Sequence, residues 1–220
     1  GQRLKFSFRE WTTIGGTLGV TAGTLDVGAF SLTVAGTTTI GSALQISSVT
    51  GTKTFGNVVL NNGGTFHFAT AEGVTLNGDL TVNGTGAITG TTGTFLFQKA
   101  GGGFINGTST ATQTVAAATF GTNYANSLKF AVTGTTTATA TTITNTGTFT
   151  AAGTFVGVGG TFTQGVNGVL IIGGTSTITT LKASAVSNEV HYISTAANQT
   201  VIGTAYHHLF IEKTGRIGTL

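Results

Sequence analysis

The sequence predicts an all-β protein, and within that class a β-solenoid (parallel β-helix), from three observations. Short runs alternate apolar with polar residues, glycine or Asn-Gly separates the runs, and one small unit recurs along the chain. Strong helix formers are scarce and no stretch keeps a helical period for three turns. Thr, Val, Ile and Phe, which suit a pleated, half-buried surface, dominate instead.

The strands are the first element. Thr24-Leu25-Asp26-Val27, Ser31-Leu32-Thr33-Val34, Val74-Thr75-Leu76 and Asp79-Leu80-Thr81-Val82 each alternate. Alternation puts the aliphatic residues on one face and Thr, Ser or Asp on the other. Turns follow at Asn62-Gly63, Asn77-Gly78, Asn83-Gly84 and Asn106-Gly107. The triplet Gly-Thr-Phe recurs with its phenylalanine at Phe66, Phe95, Phe149, Phe155 and Phe162.

Segments this short cannot bury an apolar face alone, but stacked coils share a core and satisfy each other's backbone. At a solenoid period of roughly 20 residues the chain makes about eleven coils, a rod of ~50 Å at the β spacing. A β-sandwich repeat array is the rival architecture, because strand spacing alone does not force a solenoid.

A larger repeat overlies the small one. Gln113-Thr114-Val115 leads to Gly121, Tyr124 and Leu128-Lys129-Phe130, and Gln199-Thr200-Val201 leads to Gly203, Tyr206 and Leu209-Phe210-Ile211. A shortened version runs from Thr54 to Leu60. Residues 1–220 therefore read as one continuous solenoid, with the larger repeat at about 45–66, 111–135 and 197–215. Arg3-Leu4-Lys5-Phe6 resembles the tail of this theme, and the chain finishes near the same phase. The expectation is either a stretch of a longer chain or identical subunits stacking head to tail, since open β-edges recruit more β-structure. The charged residues Arg3, Lys5, Arg9, Glu10, Glu212, Lys213 and Arg216 concentrate at the ends and would form a subunit junction that sets register and polarity.

The run from Asn198 to Ile211 resembles the recurring segment of large repetitive bacterial surface proteins, the filamentous-haemagglutinin-like and autotransporter-type adhesins. So does Val74-Thr75-Leu76-Asn77-Gly78-Asp79-Leu80-Thr81-Val82-Asn83-Gly84. The resemblance implies a β-helical stalk, secretion to the cell surface and a part in attachment or matrix. It implies no catalytic residue.

Composition narrows the function. Only 7% of residues are charged and 39% are hydrophobic, which separates the chain from ordinary disorder. No apolar run of about 18 residues could span a bilayer as a helix, and one Trp with three Tyr is too few for the aromatic girdles of a membrane barrel. Cysteine is absent, which removes thiolate metal sites and disulfides. The formal charge of +3 does not make a nucleic-acid surface.

Candidate sites are few. Calcium-binding turns need regularly repeated Asp, and only Asp26 and Asp79 are present. Paired carboxylates for glycoside hydrolysis must lie close together. Asp26, Glu72 and Asp79 approach one another only if their coils stack in register, and otherwise read as solvated residues. His207 and His208 are adjacent on a strand and point to opposite faces, one exposed and the other packed near Tyr206. His67 reads as an outward residue between core aromatics. Asn83, Asn106 and Asn198 fit the glycosylation pattern.

Threonine supplies about 50 positions. The run Thr135–Thr144 places Thr137, Thr139 and Thr141 on one strand face, the kind of array that binds ice, although the threonine runs shift in length and phase along the chain. Phe66, Phe68, Phe95, Phe97, Phe149, Phe155 and Phe162 read as interior stacks. The expected function is a structural, extracellular filament or stalk component and not an enzyme, with no cofactor or metal, whose partner is itself or the continuation of its own chain. An adhesin presenting a face to host or matrix glycans and an ice-binding solenoid are the alternatives.

Overall fold

The structure, a computed structural model, describes residues 5–90, 92–194 and 199–212. Among these residues there is no helix, and every strand pairing is parallel. Strands of two to four residues follow one another around a coil, and until the last turns each pairs with the strand three places on in the chain rather than with its sequence neighbour; at the end Glu189–Tyr192 pairs directly with the next strand, His208–Ile211. That is a β-solenoid, and it excludes the antiparallel sandwich array.

Until the last turns, where isolated bridges replace some strands, each turn lays down one strand on each of three faces. The first face is formed by a five-stranded sheet and, further along, a six-stranded sheet; the second face is an eight-stranded sheet and the third a nine-stranded sheet. The stack contains about ten turns, slightly fewer than a uniform 20-residue period predicts. Rungs range from 17 residues (Gln113 to Phe130) to 25 (Leu80 to Ile105), because corners absorb insertions while strands stay in register.

Alternation builds the core as the sequence predicts. Leu32, Val34, Ile40, Leu44, Ile46 and Leu60 fill the early turns, and an aromatic column fills the later ones. All seven predicted core phenylalanines are buried. Phe66 and Phe68 stack at 5.1 Å, Phe97 and Phe120 at 4.8 Å, and Phe149 packs edge-on to Phe162 at 5.4 Å. His67 lies on the outer side of its strand and bonds Thr89 on the next turn at 3.1 Å. Gly107 shows why corners demand glycine: its φ is +134° and a Cβ would sit 2.1 Å from the Val82 carbonyl oxygen.

The first face is interrupted between the strands Ala87–Thr89 and Gln113–Val115, where the two sheets meet without a ladder. The buried Gln113 amide bridges the break: its Oε1 accepts from the Ile88 N–H at 2.8 Å. Gln199, its counterpart in the larger repeat, accepts from Ser194 N–H and donates to the carbonyls of Ile172 and Gly174. Both glutamines thus satisfy backbone groups that a missing rung would otherwise leave open.

Candidate functional site

The residues predicted to carry chemistry are dispersed by the fold. Asp26 lies in a strand of the first face, Glu72 at the corner leading into the second, and Asp79 at the corner leading into the third, so stacking does not unite them. The expectation that these carboxylates are solvated is corrected for two of them, since Asp26 and Glu72 are buried. Glu72 faces Lys53 at 3.8 Å. Lys53 occupies an inward strand position between Leu32 and Val74 and donates to the carbonyls of Ser48 (3.3 Å), Thr50 and Gly51 (2.9 Å). Burial holds the Lys53 ammonium below its usual pKa even though Glu72 acts to raise it.

Both His207 and His208 are exposed, which corrects the expectation that one packs inward. Their rings meet edge to face at 4.3 Å. The histidine with a built environment is His191. Its Nε2 lies 2.9 Å from Glu189, its Nδ1 lies 2.8 Å from Glu212, and its ring stacks on Phe210 at 4.4 Å. Among the described residues no group of three or more His, Cys, Asp or Glu could hold a metal ion, and no helix is long and apolar enough to cross a membrane.

Of the predicted junction residues, Arg9 and Glu10 are exposed and Glu212 is engaged by His191. Lys5 begins the first described strand. Arg3, Lys213 and Arg216, like the glycosylation candidate Asn198, lie outside the described residues.

Two surface features emerge that strand spacing in the sequence did not locate. The first is a threonine face. The run Thr135–Thr144 is not one strand: it divides into Thr136–Thr137 and Thr142–Asn145, with the chain turning at Ala140, whose φ is +55°. Instead, the threonines align across turns. Along the second face the outward position reads Thr13, Thr33, Thr54, Thr75, Leu96, Thr119, Thr137 and Val156 on successive strands. The position two residues earlier begins with the exposed Trp11 and then carries Ser31, Thr52, Thr94, Thr135 and Thr154, with Gly73 and Ala117 interspersed. Hydroxyls touch across rungs, Thr52 to Ser31 at 3.3 Å and Thr175 to Thr154 at 3.4 Å. Neither column contains a charged residue. Runs that differ in phase along the chain fall into line because corner length varies independently.

The second feature surrounds Phe104, which is 51% exposed in a protein that buries most of its phenylalanines. It stands outward in the strand Gly103–Asn106, after the longest rung of the solenoid. Its N–H donates to Asp79 Oδ1 at 2.9 Å, and Asp79 also accepts from Lys99 Nζ at 2.8 Å. The Lys99 ammonium lies 5.7 Å from the Phe104 ring centroid. Beneath this layer the Tyr124 hydroxyl donates to the Gly78 carbonyl at 2.8 Å, and burial pushes its pKa up to about 12, so it remains a donor.

Comparison with family models, curated proteins and solved structures found no match to this chain.

Proposed function

We propose that this protein is a structural segment of an extracellular stalk or filament at a bacterial cell surface. The observation that carries the reading is the continuous parallel stack of about ten turns around an aromatic core. Each turn packs mainly against its neighbours, so such a fold sets distance and extends by adding turns. The resemblance of the segments 74–84 and 198–211 to adhesin repeats points the same way. The partner is a further copy of the chain or further turns of a longer one.

Immunogold electron microscopy on intact, unpermeabilised source cells tests this. Antibody against the chain should decorate fibres or a surface layer. Label confined to the interior of sectioned cells would overturn the reading.

The threonine face favours a second reading, ice binding. Two in-register columns place hydroxyl and methyl groups on a grid of about 4.8 Å by ~6.7 Å, set by strand separation and by two strand residues. An uncharged regular grid of this kind can order water in a lattice. Purified protein should then show thermal hysteresis, and Thr54→Tyr combined with Thr75→Tyr should abolish it. No hysteresis in the unmodified protein would remove this reading.

A further inference from the structure

We propose that the surface trough beside Phe104 is a binding subsite for a neutral pyranose sugar within a longer saccharide. This inference is independent of the stalk reading, because it concerns one local site on the third face.

The trough follows from the outward residues of three adjacent strands. Gly103–Asn106 presents Phe104, the next strand presents Ala125 in register with it, and the third presents Thr144 in register with Ala125. A large, a small and a medium side chain in that order leave a depression about two strand spacings wide, or ~10 Å. Its volume is about 340 Å³, and it is lined further by Asn123, on the same rung as Ala125, and by Thr142, on the rung of Thr144. The turn Gly101–Gly103 closes the near side. Gly101 and Gly102 have φ of +78° and +97°, and a Cβ on Gly103 would meet the Tyr124 ring at 2.5 Å, so only glycine lets this backbone lie so low.

The chemistry of the lining selects the ligand. Phe104 offers an apolar ring; the middle rung offers the Asn123 amide, whose Oδ1 accepts from Thr142 N–H at 2.8 Å and whose N–H groups remain to donate, and the far rung offers two hydroxyls. No charged side chain lines the trough. The nearest charges, Asp79 and Lys99, neutralise each other at 2.8 Å. A pyranose has the complementary surface, with an apolar C–H face to stack on the ring and equatorial hydroxyls to reach Asn123, Thr142 and Thr144. An anionic ligand would find no free cation here, and a long aliphatic chain would strand the polar wall.

The strand that carries the ring is also anchored before any ligand arrives. Asp79 holds the Phe104 N–H and the Lys99 ammonium together, so the backbone beneath the aromatic platform needs little ordering on binding. At the small end of the usual pocket range, the site fits one sugar unit, and its binding should be weak per site.

The test is a ¹H–¹⁵N NMR titration of the whole chain with cellohexaose, chitohexaose and mannohexaose, together with a glycan array. At least one saccharide should shift the amides of residues 101–104, 123–125 and 142–144. Phe104→Ala should weaken that binding roughly tenfold through loss of the stacked ring. Ala125→Phe should fill the trough and abolish binding. Both side chains point outward, so circular dichroism and the melting temperature should be unchanged. No binding across the panel, shifts elsewhere on the chain, or undiminished binding by Phe104→Ala would each overturn the proposal. So would shifts produced by indole or an aromatic peptide but by no saccharide.

Discussion

Asn126 donates its side-chain N–H to the side-chain oxygen of Asn145 at 2.8 Å in the protein interior, 19 residues further along the chain and one turn along the stack. Asn145 repeats the bond to Gln164 at 2.7 Å, again 19 residues on. Gln164 then donates to the Glu189 carbonyl at 3.0 Å. The three amides lie in register on one edge of the third face and form a polar ladder beside the aromatic core. Asn126 and Asn145 also satisfy the corner: Asn126 donates to the Leu128 carbonyl at 2.9 Å and Asn145 to the Gly147 carbonyl at 3.1 Å.

Truncating the central rung tests whether the ladder acts as a unit. Asn145→Ala removes the donor to Gln164, Gly147 and Val169 and takes from the Asn126 amide its side-chain acceptor, leaving it the carbonyls of Leu128 and Thr148. Each buried orphan costs about 1–3 kcal/mol, so the variant should lose ~3 kcal/mol in urea denaturation. The pair Asn126→Ala with Asn145→Ala should cost less than the sum of the singles, because the partner stranded by one substitution is removed by the other. Simple additivity would show that the amides act separately.

How much of this was legible depended on which periodicity carried it. Inward phenylalanines such as Phe66 and Phe68 were readable because strand alternation is local. The fold class was readable for the same reason. The ladder was written in the sequence as amides one coil apart, but a coil length that varies from turn to turn hides such spacing. Phe104 and Ile105 are adjacent and both apolar, so alternation alone could not say which turns inward; pairing of Ile105 with Leu80 decides it. Lys53 was illegible, since its inward position is tolerated only because the turn at residues 48–51 folds its carbonyls over the ammonium.

That arrangement predicts an asymmetry between single and double substitution. Lys53→Leu suits the apolar column of Leu32 and Val74 but leaves Glu72 buried without its cation. The single variant should lose about 2–4 kcal/mol by denaturant titration, and adding Glu72→Leu should restore part of it, as expected when both members of a buried pair are removed. If the double variant is less stable than the single, Glu72 serves some other part of the corner.

Phe97 is one of the two most connected rings of the aromatic column, with Phe149, and meets Phe95, Phe120, Tyr124 and Phe130 at 5.6, 4.8, 5.0 and 6.0 Å. Phe97→Ala should therefore cost ~3–5 kcal/mol. Because each turn leans mainly on its neighbours, hydrogen exchange should accelerate first in the strands containing Phe97 and Phe120 and least in the early turns around Leu44. Uniform acceleration over the whole stack would indicate that the solenoid opens as one unit.

His191 makes the last described turns pH-sensitive. Burial lowers its pKa, but the hydrogen bonds and charges of Glu189 and Glu212 together outweigh burial and hold the imidazolium above the usual histidine value. A raised folded pKa means that the stabilisation is fully present below the unfolded value of ~6.5 and is lost as pH rises through the folded pKa. The strand His208–Ile211 is tied to the stack by Glu212, by Phe210 stacked on His191 and by its ladder to Glu189–Tyr192. Its amide protection, corrected for intrinsic exchange, should fall with rising pH above about 6.5 while protection around Phe97 stays level. His208 sits opposite Glu189 in the register, so His191→Phe separates the two. That variant keeps an aromatic ring against Phe210 and should flatten the pH dependence. Dependence that survives the substitution would assign the effect to His208 instead.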